Sequence, residues 1–279
     1  MWCIVRGNVY KMEIAGFIGA FLMGLSLGLV GSGGSILTVP ILVYLFYIDT
    51  LIATTYSLFI VGITSLVGAT VRAGAGNIHW PATLVFGIPS LTAVYLTRSF
   101  LLPLIPPVIF QLGDFILTKS LFLLLLFAVL MLIASFFMVR DQEETTEENT
   151  TLGSTSYNLF SLSIKGILAG CITGLLGAGG GFLIIPALVL MANLPMKKAV
   201  GTSLVIITAN SFMGFWRDYQ LHELIDWRFL VYFSTIAITG ILTGSSIAHK
   251  ISGERLKPIF GYFILLMGAF IIFKELFLR

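Results

Sequence analysis

Charge is what this chain has least of. Of 279 residues only 16 are lysine or arginine and 13 aspartate or glutamate, and the mean hydropathy is +1.01. So few ionised groups cannot cover a soluble surface, which leaves an integral membrane protein embedded in a lipid bilayer. The scarcity also excludes nucleic acid as a partner, because a net charge of +3 scattered along the chain makes no basic stripe. Cysteine is nearly absent: Cys3 and Cys171 stand far apart, with no second thiol or histidine at ligand spacing from either. No disulfide, metal or other cofactor is expected. Arg6 and Lys11 ahead of an apolar run imitate a signal peptide. That run ends in Gly31-Ser32-Gly33-Gly34 rather than a small-x-small cleavage site, so it reads as a retained helix.

What fills the chain instead is hydrocarbon. Apolar runs cover 12–30, 36–47, 54–71, 80–97, 118–139, 159–176, 182–192, 199–216, 227–249 and 258–277. They are continuous rather than alternating, and most approach the ~20 residues of a spanning helix. Helices satisfy their own backbone in lipid, so the expected fold is an all-α membrane bundle without strands.

The chain also repeats itself. "GLVGSGGSILTVPILV" at 28–43 returns as "GLLGAGGGFLIIPALV" at 174–189, 146 positions on. An ungapped overlay pairs Gly24 with Gly170, Gly31 with Gly177, Gly33 with Gly179, Gly34 with Gly180, Pro40 with Pro186, Ser57 with Ser203, Ser65 with Ser211 and Gly68 with Gly214. Matches of Gly, Pro and Ser are not what lipid solvation yields by chance, so a duplication is inferred. The units are 1–140 and 159–279, joined by a polar cytoplasmic linker over 141–158 that lacks apolar residues to pack. Each holds a Gly-broken re-entrant or hairpin segment plus three transmembrane helices. Three crossings are odd, so the second unit is predicted to be inverted; this places Arg72, Arg140, Lys165, Lys197, Lys198, Lys250, Arg255 and Lys257 inside and an equal number of basic residues outside, half of them in the terminal tails.

The breaks are the candidate site. Contiguous small residues such as Gly31-Ser32-Gly33-Gly34-Ser35 and Gly177-Ala178-Gly179-Gly180-Gly181 cannot stay helical, and each glycine costs about 1 kcal/mol against alanine. A broken helix in hydrocarbon is tolerable only where protein buries it or where it lines a cavity. Half-helices beginning near Ser35 and Gly181 would point free N–H groups at the membrane centre, which favours an anion. Pro40 and Pro186, five residues after each break, are expected to kink the returning helix. The spaced pairs Gly24/Gly28 and Gly170/Gly174 read instead as seams for close helix packing.

Hydroxyls follow on the next helix of each unit: Ser57 and Ser65, then Thr202, Ser203 and Ser211, with Thr64 and Asn210 beside them. Eight residues are a little over two turns, so each serine pair shares a face. They either donate to an oxyanion or bond the preceding carbonyls of their own helix. Arg72 and Arg217 end these helices and are expected to snorkel to head groups, Asp218 being a partner in reach of Arg217. His79-Trp80 and Asp226-Trp227 read as interfacial anchors, and His249 as a loop residue. The site is thus expected to work with partial charges, without a buried arginine.

The doubled Gly-x-Gly-Gly with its downstream proline, followed by "ATTYSL" and "AVGTSL" and by "NIHW" and "LIDW", resembles the TauE/SafE sulfite exporter family. The resemblance implies a bacterial or archaeal inner-membrane permease for sulfite, thiosulfate or small organosulfonates, grouped with exporters. It points to Gly31, Gly33, Gly34, Pro40, Gly177, Gly179, Gly180, Gly181, Pro186, Thr202 and Ser203. The first unit departs at Ser35, where the second has Gly181, and at Thr55-Tyr56-Ser57, opposite Gly201-Thr202-Ser203. The partners expected are a small anion and the bilayer; a coupling proton or cation and a homodimer are left open. Two other readings compete. Ser32 with His79 or His249 supplies the residue types of an intramembrane serine protease, although Ala178 stands at Ser32's place in the repeat. A non-transporting assembly subunit would use the same glycine seams.

Overall fold

The computed structural model describes residues 2–31, 33–112, 115–140, 159–177, 181–192, 194–220, 225–248 and 253–277. The first sequence repeat forms α1 (Trp2–Val30), α2 (Gly33–Leu45), α3 (Thr50–Gly74) and α4 (Trp80–Leu96). A π-helical turn over Thr97–Leu101 and the short α5 (Leu102–Leu104) prolong α4, and β1 (Val108–Leu112), β2 (Phe115–Thr118) and α6 (Lys119–Arg140) follow. The second forms α7 (Leu159–Leu176), α8 (Gly181–Pro186) with a π-helical turn over Ala187–Met191, α9 (Met196–Tyr219), α10 (Trp227–Ala248) and α11 (Gly253–Phe277). Among the described residues four helices are long and apolar enough to cross a membrane: Thr50–Gly74, Trp80–Leu104, Met196–Tyr219 and Trp227–Ala248. Leu22, Leu84, Ile88, Leu168, Tyr232 and Leu266 are exposed, as side chains meeting lipid should be.

The all-α expectation needs one correction. β1 and β2 pair antiparallel, with Gln111 opposite Ile116 and Leu112 opposite Phe115. Pro103, Pro106 and Pro107 stop the preceding helix, and "VIFQLGDFILT" carries β-branched and aromatic residues on both sides of Gly-Asp, a hairpin signal hidden between two longer apolar runs.

The helices of the two repeats interleave. α1 packs on α10, and α7 packs on α4. Both seams are made by glycine: a Cβ on Gly24 or Gly28 would run into the backbone of Ala237 or Ile241, one on Gly170 into that of Ser90, and one on Gly174 into the Thr97 side chain, close to the Val94 carbonyl. Counting from the matched Trp80 and Trp227, Ser90 corresponds to Ala237 and Val94 to Ile241, so the two seams use the same positions. Without side chains in the way the backbones approach closely and gain dispersion along the whole contact, which is the main source of helix association in lipid. α3 and α9, the most buried of the four spans, cross in the middle. There Ser65 Oγ lies 2.9 Å from Thr208 Oγ1, and Gly62 faces Ser211. α6 packs on α11, closing a core that includes Leu27, Ile36, Phe127, Met131, Leu204 and Ile241.

Candidate functional site

Each break is a helix end that turns on a left-handed glycine. Gly31 (φ +82°) follows α1 and Gly177 (φ +67°) follows α7, each donating its N–H back to a carbonyl of its own helix, Leu27 at 2.7 Å and Thr173 at 3.0 Å. L-residues with a Cβ are strained at such φ, which is why glycine stands there. After the first break α2 starts at Gly33 and folds back on α1, so closely that a Cβ on Gly34 would overlap the carbonyl of Met23. Ser35 is fully buried beside it. Pro40 lies inside α2, whereas Pro186 closes α8 ahead of the π-helical turn, a widened stretch that accommodates the missing N–H. Gly181 opens α8 and is buried. Ser32, Ala178, Gly179 and Gly180 lie outside the described residues, as do the linker over 141–158 and His249.

Each break is seated against the other repeat. A Cβ at Gly31 would collide with Val200 on α9, and one at Gly177 with Thr54 on α3. Val200 and Thr54 are the same repeat position, 146 residues apart. The serines Ser203 and Ser57 stand about one turn along the same two helices. Ser203 Oγ donates to the Val200 carbonyl of its own helix at 2.8 Å, while Ser57 Oγ is buried without a hydrogen-bond partner. Ser65 Oγ donates to the Gly62 carbonyl as well as meeting Thr208. Ser211 Oγ is buried and unpartnered. Asn210 donates through Nδ2 to Ser90 Oγ at 2.8 Å and leaves Oδ1 bare.

Thr202 has a structural task. Its Oγ1 accepts from the backbone N–H of His79 at 2.9 Å, and the matched Tyr56 OH accepts from the N–H of Asp226 at 2.8 Å. His79 and Asp226 in turn accept from Ala82 and Phe229, satisfying N–H groups at the start of α4 and α10. Trp80 and Trp227 remain exposed beside them.

The arginines correct the sequence reading. Arg72 does not reach out to head groups: it is 4% exposed, and its Nη2 donates to the Gly28 carbonyl at 2.9 Å. Asp218 does not serve Arg217, which donates through Nε to Ser99 Oγ at 2.9 Å. Asp218 pairs instead with Arg98, through Nη1, and accepts from Thr55 Oγ1 at 2.7 Å. Arg98 is only 1% exposed, so an arginine is buried beside the break, which the expectation of partial charges alone did not include. Two of its nitrogens, Nε and Nη2, are buried with no partner, at a cost of about 1–3 kcal/mol for each orphaned donor. Gly177 adjoins Nη2, where any side chain would press on the guanidinium. The sequence did carry a signal for this pair. In the 146-residue register Arg72 stands opposite Asp218, and counting from the matched Trp80 and Trp227 Arg98 stands opposite Ser245, so both positions change charge between the halves.

A buried charge beside a backbone break, on helices able to cross a membrane, is the arrangement of an ion or solute pathway. The family model described as "Sulfite exporter TauE/SafE" matches residues 16–271. The chain belongs to the TauE/SafE family. It is therefore a membrane transporter and not an enzyme, which removes the protease reading. Curated relatives carry the name "Probable membrane transporter protein". One from Xylella fastidiosa is 28% identical over 91% of this chain and 92% of its own length. One from Methanocaldococcus jannaschii is 28% identical over 90% of this chain and 92% of its own, and one from Bacillus subtilis 25% identical over 94% and 99%. No solved structure matches the chain.

Proposed function

We propose that this TauE/SafE transporter moves a small sulfur-containing anion, such as sulfite, thiosulfate or an organosulfonate, outward across the inner membrane. It does so by alternating access at a site between two inverted repeats. The observation that carries the reading is the reciprocal seating of the breaks, Gly31 against Val200 and Gly177 against Thr54. Each repeat supplies a broken helix end to the other's central helix, so a relative rocking of the repeats would open one break as it closes its partner. The exchange of α1 and α7 between repeats supports the same two-fold relation. At the breaks the N-terminal ends of α2 and α8 contribute fractional positive charge beside the fractional negative charge of the α1 and α7 C-terminal ends, and the unpartnered hydroxyls of Ser57 and Ser211 supply donors an oxyanion can use. The family's description supports sulfite as the type substrate. In this reading the chain is multi-pass, the division into 1–140 and 159–279 holds, and the 141–158 linker faces the cytoplasm.

Uptake into liposomes tests the function: the purified protein should accumulate sulfite, thiosulfate or sulfoacetate and leave sulfate and carboxylate controls behind. A protein that moves only the controls contradicts the sulfur-anion reading. Labelling of Ser154→Cys from outside intact cells by an impermeant reagent, in a background without Cys3 and Cys171, contradicts the inverted orientation.

A further inference from the structure

We infer that the anion is recognised by the Nε and Nη2 edge of Arg98, and that Asp218 is an internal carboxylate competing with it for the same guanidinium. The inference rests on the transport reading above and names the group within it that selects the substrate. A guanidinium offers flat edges of two N–H groups, and the Nε and Nη2 donors on one edge point the same way, which matches two oxygens of a single sulfonate, sulfite or carboxylate group. In this protein Asp218 takes Nη1 alone and leaves that edge bare. A buried donor pair with no protein acceptor is a group whose acceptor comes from elsewhere.

A second observation points to the same place. The bare edge adjoins Gly177, the residue at which the second repeat breaks, and a Cβ there would meet both Thr54 and Arg98 Nη2. Glycine thus keeps the edge clear. The aliphatic part of Arg98 lies along Gly214 of α9, which leaves room for the side chain to be threaded between the repeats. The matched place in the other half cannot do this. Ser245 replaces Arg98, and Arg72, at Asp218's position, has spent Nη2 of its own edge on the Gly28 carbonyl. One anion per chain is therefore expected.

Charge makes the competition. Arg98 and Asp218 together are neutral, so an anion on the open edge brings two negative groups to one buried cation. Away from water that excess is costly, and the anion weakens the hold of Arg98 on Asp218. Thr55 Oγ1 still donates to the displaced carboxylate. When the anion leaves, Asp218 neutralises the arginine again.

Equilibrium binding and uptake of sulfite, sulfoacetate and acetate, measured on the whole protein in nanodiscs and liposomes, test this with two variants checked for folding by thermal melting. Arg98→Lys keeps the charge and loses the fork; its anion affinity should fall by about tenfold or more. Asp218→Asn removes the competitor in nearly the same shape, so affinity should rise several-fold while turnover slows, a gain that misfolding cannot imitate. Wild-type affinity in Arg98→Lys, or unchanged or weaker binding in Asp218→Asn, overturns the inference. The two readings fail separately. Arg98-dependent uptake of acetate alone keeps this site and removes the sulfur anion, sulfite uptake indifferent to Arg98→Lys does the reverse, and no anion binding at all removes both.

Discussion

Around Gly177 an arginine, an aspartate and a threonine converge; around Gly31 the matched positions hold a serine, an arginine and a glycine. The frame is shared. Both glycines adopt the left-handed turn, both press on the same position of the opposite central helix, and each precedes a further helix, α2 or α8. The charges are not shared. On the Gly177 side they face each other and leave both Nε and Nη2 of Arg98 open, whereas on the Gly31 side Arg72 leaves Nε open but has its Nη2 tied to the backbone carbonyl of α1. The repeat thus supplies two similar scaffolds, and differences at three matched positions make one of them polar in a way the other is not. A moving part needs both breaks, but a ligand needs only one set of charges.

The largest effects should come from the part that is equal. Gly31→Val and Gly177→Val each force a β-branched side chain into left-handed backbone and into the facing helix, so each should abolish transport of sulfite in liposomes. Gly74→Ala, at the exposed end of α3 with nothing near its missing Cβ, should transport normally. Loss in one half only would break the equivalence of the two scaffolds.

A smaller effect separates the arginines. Arg72→Met leaves the Gly28 carbonyl without its donor and should lower unfolding stability by about 1–3 kcal/mol, read as a fall in melting temperature. Anion affinity in the folded variant should be unchanged. A selective loss of binding would move the ligand to the Gly31 side.

The smallest contrast is between the paired serines. Ser57→Ala should weaken sulfite binding by about 1–3 kcal/mol, because a hydroxyl without a protein partner is free to donate to the anion. Ser203→Ala should change it by less than about 0.5 kcal/mol, its hydroxyl being occupied by Val200. Equal losses by titration calorimetry would restore a symmetric role for the two.

The sequence makes the frame legible because hydrocarbon runs and glycine clusters act locally. Apolar length gives the helices, contiguous glycines give the breaks, and the 146-residue offset says that the breaks are equivalent. The hairpin of β1 and β2 was masked because its strands are as apolar as the helices around them. Arg98 was harder to read, as it sits at the end of an apolar run with its partner in the other repeat, where no spacing rule reaches. Arg72 looked like an outward-reaching helix end because its acceptor, the Gly28 carbonyl, becomes accessible only when α1 packs close by. The hydroxyls divided by local chemistry, some bonding their own helix and some not, which depends on rotamers that sequence does not fix.

A single anion, held in one half of the molecule, is expected. Selenite has the shape and charge of sulfite and carries a strong anomalous scatterer, so a crystal of the protein soaked with it locates the site directly. A single anomalous peak per chain, with oxygens in hydrogen-bonding reach of Arg98 Nε and Nη2 beside Gly177, is the result predicted. A peak beside Arg72 and Ser245, or equal peaks in both halves, would contradict it.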